Sequence, residues 1–267
     1  MNGCICGTVK NCGPYLSKVL KNMEKIGSIF DNYKIIIYYD QSSDNTIDIL
    51  RKYQETNQNM MFYVNKTAMS KFRTHNLAIA RNFCLDYVKQ NREKYPFFIM
   101  MDCDDVNCKE VNIDILKKYL HRDTWDGLSF NTAPKYYDIW ALSIYPFCFS
   151  YNHFENNDKY YNIMQDYVEK LLKKTKKENR LLRCISSFNG FSLYRTNKFL
   201  DTYYDGRIRL DLIPPPNLNA HKNITNSKLV YKQYITVDGR AEDCEHRAFH
   251  IQARGARIMI SPEIIFT

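Results

Sequence analysis

Three carboxylates crowd into four positions, Asp102, Asp104 and Asp105, directly after the apolar run Tyr95-Pro-Phe-Phe-Ile-Met-Met101. A run of bulky apolar residues reads as a fully buried strand. Carboxylates cannot stay inside a sheet, so they fall at the strand's carboxyl end, where open α/β sheets hold their ligands. Packed together they repel one another unless a cation neutralises them. Hard divalent ions such as Mg²⁺ or Mn²⁺ take oxygen ligands, commonly one or two protein carboxylates with substrate phosphates completing the shell. The chemistry expected of this stretch is that of a metal–diphosphate complex.

Other residue sets offer chemistry as well. A second buried run, Tyr33 to Tyr39, ends in Asp40, on the same sheet edge as Asp102 and suited to accept a hydrogen bond from a nucleotide base N–H. The following Ser42, Ser43 and Asn45 read equally well as a polar turn capping the next helix. Arg73 and Arg81 lie on one helix; arginines beside an acidic edge either hold a phosphate or form surface salt bridges. In Glu242-Asp243-Cys244-Glu245-His246, three acids and a histidine open a helix that runs to Ala253. One acid suffices to favour a helix start, so two have other work. His246 and His250 are one turn apart but lack the metalloprotease glutamate beside the first histidine. His246 is assigned to the site, as a metal ligand with Asp102 and Asp104, and His250 to packing. The tract Lys135 to Ser143 is aromatic with Asp138 embedded in it, which suits a platform for sugar faces or simple core packing.

The elements that must position these residues can be read in order. Gly3 to Val9 is apolar, Tyr15 to Phe30 shows helical spacing, and Tyr33 to Tyr39 is the second strand, together a βαβ unit. Ile47 to Tyr53 reads as a helix, Met60 to Val64 as a strand, Arg73 to Tyr87 and Val111 to Leu120 as helices, and Trp125 to Asn131 as a strand. Tyr160 to Arg183 reads as a long amphipathic helix whose Lys173–Lys177 run is a solvated face or an anion-binding patch. Cys184 to Arg195 reads as a strand interrupted by Asn189-Gly190, a turn or a close backbone approach. Asp201 to Lys228 reads as a long loop, Tyr231 to Val237 as a strand, and Arg257 to Pro262 as the strand that closes the sheet.

With 267 residues, 45% hydrophobic and 25% charged, the chain has ordinary globular composition and length for one domain, 1–267, with a nucleotide-binding half at 1–110 and an acceptor half at 111–267. Nine cysteines without a paired CxxC frame argue against a disulfide scaffold or zinc knuckle and for a reducing, cytoplasmic setting. No secretory signal or membrane-length apolar run is evident. The net charge of +9 suits an anionic partner. Abundant Lys, Asn, Ile and Tyr fit an AT-rich genome, such as that of a protist, its parasite or a large DNA virus, and a viral source would make the location host cytoplasm or virion.

Four segments in this order resemble the GT-A glycosyltransferases of the family 2 type. Their "VDDGSxDxT" is matched by Tyr39-Asp40-Gln-Ser-Ser-Asp44-Asn-Thr46, and their "GxxxARNxG" helix is echoed by Leu77-Ala-Ile-Ala80-Arg81-Asn82 without either glycine. Their Asp-x-Asp is Asp102-Cys103-Asp104, and their "ED" helix is similar to Glu242-Asp243, followed by Gly255 to Pro262. Tyr137 to Leu142 and Ser187 to Gly190 also resemble the cryptococcal capsule mannosyltransferase type. The resemblance implies a three-layer α/β/α sandwich with a Rossmann-like mixed sheet, and a UDP- or GDP-sugar donor with Mn²⁺ or Mg²⁺. It further implies a glycan, protein or lipid acceptor. By position, Asp40 would contact the nucleotide base, Asp102 the ribose or metal, and Asp104 the metal. Asp243 would be the base of an inverting reaction, with Glu245 the rival, whereas a retaining reaction would leave both acids only positioning roles. Two other readings compete. A nucleotidyltransferase would need a glycine-rich loop that Gly7 to Gly13 does not supply, and a nucleic-acid-binding protein would leave the acids at the strand ends unexplained.

Overall fold

The computed structural model describes residues 1–67, 70–148, 157–225 and 242–267. The strands are β1 (Asn2–Val9), β2 (Asn32–Tyr39), β3 (Met60–Val64), β4 (Phe97–Asp102), β5 (Gly127–Asn131), β6 (Leu182–Arg183), β7 (Phe191–Arg195) and β8 (Ile258–Ile264). They form one sheet in the order β3-β2-β1-β4-β7-β5-β8-β6. The first four are mutually parallel, β7 runs antiparallel to both β4 and β5, and β6 is antiparallel to β8. The sheet therefore crosses from the first half of the chain into the second at the β4–β7 pair, where Met101 faces Phe191.

Strand residues alternate between two cores, as the period of two requires. Phe97, Ile99 and Met101 join Ile35, Ile37 and Leu128 under helices α1 (Gly13–Gly27), α2 (Thr46–Thr56) and α4 (Ile113–Leu120). Phe98 and Met100 join Cys4, Cys6, Ile36 and Tyr194 on the other face. That face is covered by α3 (Arg73–Gln90), α5 (Asn157–Lys177) and α7 (Glu245–Gln252), through Ala80, Cys84, Val168, Leu172 and Phe249. Helix, sheet and helix make three layers. Both faces of the central strands are buried, which is why they read as unbroken apolar runs.

Three expectations meet a different outcome. Asp201 to Lys228 is not one long loop: Leu210–Leu212 forms a 3₁₀ turn and Pro215–Thr225 the helix α6. Prolines at the start of α6 are tolerated because a first-turn N–H lacks an intrahelical partner anyway, and Ile213 packs with Leu218 and Ile251, an apolar contact too sparse to give a period. The long helix ends at Lys177, and Leu182–Arg183 pairs with β8 instead. The strand expected from Cys184 begins only at Phe191, after Asn189 and Gly190 turn with φ of 58 and 79°. The strand expected at Tyr231 to Val237 lies outside the described residues, as does Lys228. Lys173, Lys174, Lys176 and Lys177 are exposed, a solvated face.

Candidate functional site

The parallel strands β1, β2 and β4 point their carboxyl ends to one edge, and a cavity of about 480 Å³ opens there. Val9 and Lys10 line it from the end of β1, Tyr38 and Asp40 from β2, Asp102, Cys103 and Asp104 from β4, and Lys71, Arg73 and Asn76 from the start of α3. Four residues singled out in the sequence, Asp40, Arg73, Asp102 and Asp104, thus meet at one cleft. Lys10 and Lys71 were not singled out. Lys10 carried a usable signal, since whatever leaves the end of the first parallel strand faces the same edge.

Each carboxylate has a defined setting. Asp40 accepts from Lys10 Nζ (3.1 Å), from its neighbour Gln41 N (2.8 Å) and from Asn65 Nδ2 (3.2 Å). Asp44 does not line the cavity. It takes the N–H groups of Gly13 (2.9 Å) and Thr46 (3.0 Å) and so joins the starts of α1 and α2. Burial opposes its ionisation, but the bonds from Thr46 and Gly13 outweigh that and hold its carboxyl below the usual range. Asp104 is pushed up to about 7, by burial first and by the charge of Asp102 next. A carboxylate that resists ionisation beside a second carboxylate is relieved by a cation, so the oxygen donors at Asp102 and Asp104 fit a hard divalent ion. No three His, Cys, Asp or Glu side chains among the described residues gather closely enough to hold an ion by themselves. Two carboxylates are what a hard divalent ion commonly takes from a protein when phosphates and water complete its shell.

Arg81 and the acids of α7 have other places. Arg81 is 3% exposed and does not line the cavity. Its Nη2 reaches Asp102 Oδ1 at 2.9 Å and its Nε lies 2.8 Å from Glu245 Oε1, while the guanidinium stacks over Phe188 at 4.5 Å. It therefore orients Asp102 from behind. Asp243 pairs with Arg247 at 2.8 Å and accepts from Cys244 N at 2.7 Å. Arg247 in turn donates to the carbonyls of Trp140 (2.6 Å) and Cys148 (2.9 Å) and to Ser143 Oγ, binding the 140–148 loop to α7. His246 lies flat on Phe188 with ring centroids 3.7 Å apart and edge-on to Tyr204. Burial, then the charge of Arg81, pushes its pKa well down, so it is neutral. It too stands outside the cavity lining. His250 packs as expected, between Ser186 Oγ and Tyr194 Oη, each at 3.0 Å.

Glu242 plays a part the sequence did not reveal. α3 begins at Arg73 with no cap of its own, and Glu242 Oε2 accepts from Thr74 N (2.8 Å) and Thr74 Oγ1 (2.7 Å). Gly206 O accepts from the same hydroxyl at 3.1 Å and from Asp243 N at 2.9 Å. A carboxylate at a helix N-terminus also complements the helix dipole, so Glu242 fixes the turn that carries Arg73 to the cleft.

The family model described as "Glycosyl transferase family 2" matches residues 4–199. No curated protein matches the chain in sequence. Residues 1–349 of S. aureus TarS in complex with UDP-GlcNAc superpose with a TM-score of 0.50 at 14% identity, over 100% of this chain and 57% of that one. Crystalline S. aureus TarS gives a TM-score of 0.50 at 12% identity, over 100% of this chain and 36% of the other. The mannosyltransferase PcManGT from Pyrobaculum calidifontis, in complex with GDP-Man and Mn²⁺, gives 0.41 at 14% identity, over 74% and 45%. The chain spans between 36% and 59% of the TarS chains it matches. At such identities the TarS likeness speaks to the fold, a three-layer sheet of the GT-A type.

Proposed function

The chain belongs to glycosyltransferase family 2, and we propose that it transfers a sugar from a UDP- or GDP-sugar to a hydroxyl of a glycan, protein or lipid, with inversion at the anomeric carbon. The observation that carries this reading is the convergence of Asp40, Arg73, Asp102 and Asp104, from separate elements, on one cavity of about 480 Å³. Asp40 is suited to the nucleotide base, with Lys10 and Asn65 fixing its carboxylate. Arg73 and Lys71 bring positive charge to where a diphosphate would lie, at the start of α3. Asp102 and Asp104 would hold Mn²⁺ or Mg²⁺, which when bound neutralises charge developing on the departing diphosphate. The acceptor hydroxyl gives its proton to a carboxylate as it attacks. The TarS complex contains UDP-GlcNAc, and this supports a nucleotide-sugar donor here. Nine unpaired cysteines support a reducing, cytoplasmic location, and no described helix is long and apolar enough to cross a membrane.

The test is a thermal-shift panel of UDP, GDP, CMP and their sugars, each with and without Mn²⁺, on the native chain and on Asp104→Ala. Ligand at roughly 100 times its dissociation constant stabilises by about 2.7 kcal/mol. Cation-dependent stabilisation by one nucleotide family, lost in the variant, is the expected result. Indifference to every nucleotide would refute the reading.

A further inference from the structure

Both carboxylates that the family resemblance nominates as the base are committed to buried ion pairs. Asp243 meets Arg247 and Glu245 meets Arg81, and each acid's side chain is 3% exposed. An ion-paired carboxylate sealed from solvent is a poor acceptor of an incoming proton. Asp138 is different. It is half-buried, and among the described residues no cation stands within ion-pair distance of it. Its oxygens accept backbone N–H groups, Oδ1 that of Ala141 at 3.1 Å and Oδ2 that of Asn189 at 3.2 Å.

The turn at Asn189-Gly190 fixes Asp138 against the acidic end of β4. Asn189 Oδ1 accepts from the N–H groups of both Tyr137 (3.1 Å) and Asp138 (3.0 Å). The next carbonyl, Gly190 O, accepts from Asp102 N at 2.8 Å. Gly190 holds a left-handed conformation with φ of 79°, which favours glycine, and a Cβ there would stand 2.7 Å from Tyr137 Oη. Burial, then the charges of Asp102, Asp138 and Asp104, hold the Tyr137 hydroxyl well above its usual range, as expected of a group facing those three carboxylates. Arg81 is 3% exposed, and its Nη1 has no hydrogen-bond partner among the described residues. Burying such a donor unpaired is costly, and the charge of Arg81 acts on Asp138 as well as on Asp102 and Glu245.

We propose that Asp138 is the acceptor-side base, beside a subsite that takes a hydroxyl-bearing acceptor. The acceptor oxygen forms its bond to the anomeric carbon, and the bond from that carbon to the diphosphate oxygen breaks. The electron pair of that bond leaves on the nucleoside diphosphate, and the hydroxyl proton passes to Asp138. This rests on the donor-site reading given above. Asp243 and Glu245 are then positioning residues, acting through Arg247 and Arg81.

Two measurements on the same preparations test it, for the native chain, Asp138→Asn and Asp138→Ala. One is nucleoside diphosphate release from UDP- and GDP-sugars with Mn²⁺ and p-nitrophenyl glycosides as acceptor probes. The other is stabilisation by UDP and GDP with Mn²⁺, which needs no acceptor. Release falls by about 10²–10⁴-fold in both variants, the usual worth of a general base, while nucleotide stabilisation stays native; added formate restores part of the release in Asp138→Ala. Release within threefold of native in Asp138→Asn overturns the proposal. So does parallel loss of nucleotide stabilisation, which would make Asp138 a brace for the Asn189-Gly190 turn. A native chain that no nucleotide stabilises sinks the donor-site reading itself, and that failure is seen before any variant is compared.

Discussion

Replacing Arg81 by methionine isolates the ion-pair hub behind the cleft. Methionine keeps most of the side chain's length and its contact with Phe188 but removes the charge. Burial disfavours a cation at this place, yet Glu245 and then Asp102 outweigh it and raise the Arg81 pKa. In the variant, Glu245 keeps a 3% exposed carboxylate with no counter-charge at 2.8 Å. Breaking a buried pair by removing one partner costs about 3–5 kcal/mol. For a chain of this size each kcal/mol lowers the melting temperature by roughly 2–4 °C, so a loss on the order of 10 °C is expected. The loss has a sign in pH. Burial already raises the Glu245 pKa with Arg81 present, and without it the shift grows. A raised carboxyl is accommodated by protonation, so the variant suffers less at pH 5 than at pH 8. The assay is urea unfolding of the native chain, Arg81→Met, Glu245→Gln and the double variant at both pH values. The double variant should recover more than about 1.5 kcal/mol of the summed losses, because the two groups act as one unit. A loss below about 1 kcal/mol in Arg81→Met, or free energies additive within about 0.5 kcal/mol, would refute the hub.

Three further outcomes follow from the same geometry. In Gly206→Ala the new Cβ would stand 2.5 Å from Thr74 O and 2.6 Å from His75 N, both backbone atoms; unfolding should cost about 1–3 kcal/mol less, with weaker nucleotide stabilisation, and native values for both would show that the two segments do not touch. Glu242→Ala strips the acceptor from Thr74 N and should lose about 0.5–2 kcal/mol, measured by urea unfolding, together with part of the nucleotide affinity that depends on Arg73; stability unchanged would remove Glu242 from the cap. Burial, then the charge of Arg247, pushes His250 down to about 3, whereas the unfolded chain takes up that proton near pH 6.5. Between those values the unfolded state binds the extra proton, so stability falls as pH falls, by about 1.4 kcal/mol per pH unit from this group. His250→Gln should flatten the slope of unfolding free energy between pH 6.5 and 4.5 by that amount; an unaltered slope would mean that the ring is not buried neutral.

The sequence was most legible where a single strand dictates both core and chemistry. The run ending in Asp102 shows its burial in its own composition, and a carboxylate after a parallel strand can only emerge at the ligand edge, so Asp102, Asp104 and Asp40 were readable one strand at a time. The long-range pairings were not. Nothing in Phe191 to Arg195 announces an antiparallel strand wedged between β4 and β5, because a strand buried on both faces looks the same in either direction. Arg81 shows the same limit in a side chain. One helix places it near Asp102, but whether its guanidinium enters the cleft or turns beneath it depends on Glu245, 164 positions later in the chain.

The helix start at Glu242 to Glu245 shows why an excess of acid was a true signal with an incomplete meaning. A cap needs one carboxylate, and the structure uses three, each on a different element: Glu242 on the start of α3, Asp243 through Arg247 on the 140–148 loop, and Glu245 through Arg81 on the end of β4. The first and third of those elements carry Arg73 and Asp102, which line the cleft, and the loop begins two residues after Asp138. The short helix α7, with Phe249 fully buried in the core beneath it, thereby ties the start of α3, the 140–148 loop and the end of β4 together. Exchanging one of these acids for an amide therefore loosens an element that borders the cleft. Activity lost in Asp243→Asn is therefore expected whether or not Asp243 touches the acceptor, and only a readout that separates nucleotide stabilisation from turnover tells a base from a brace.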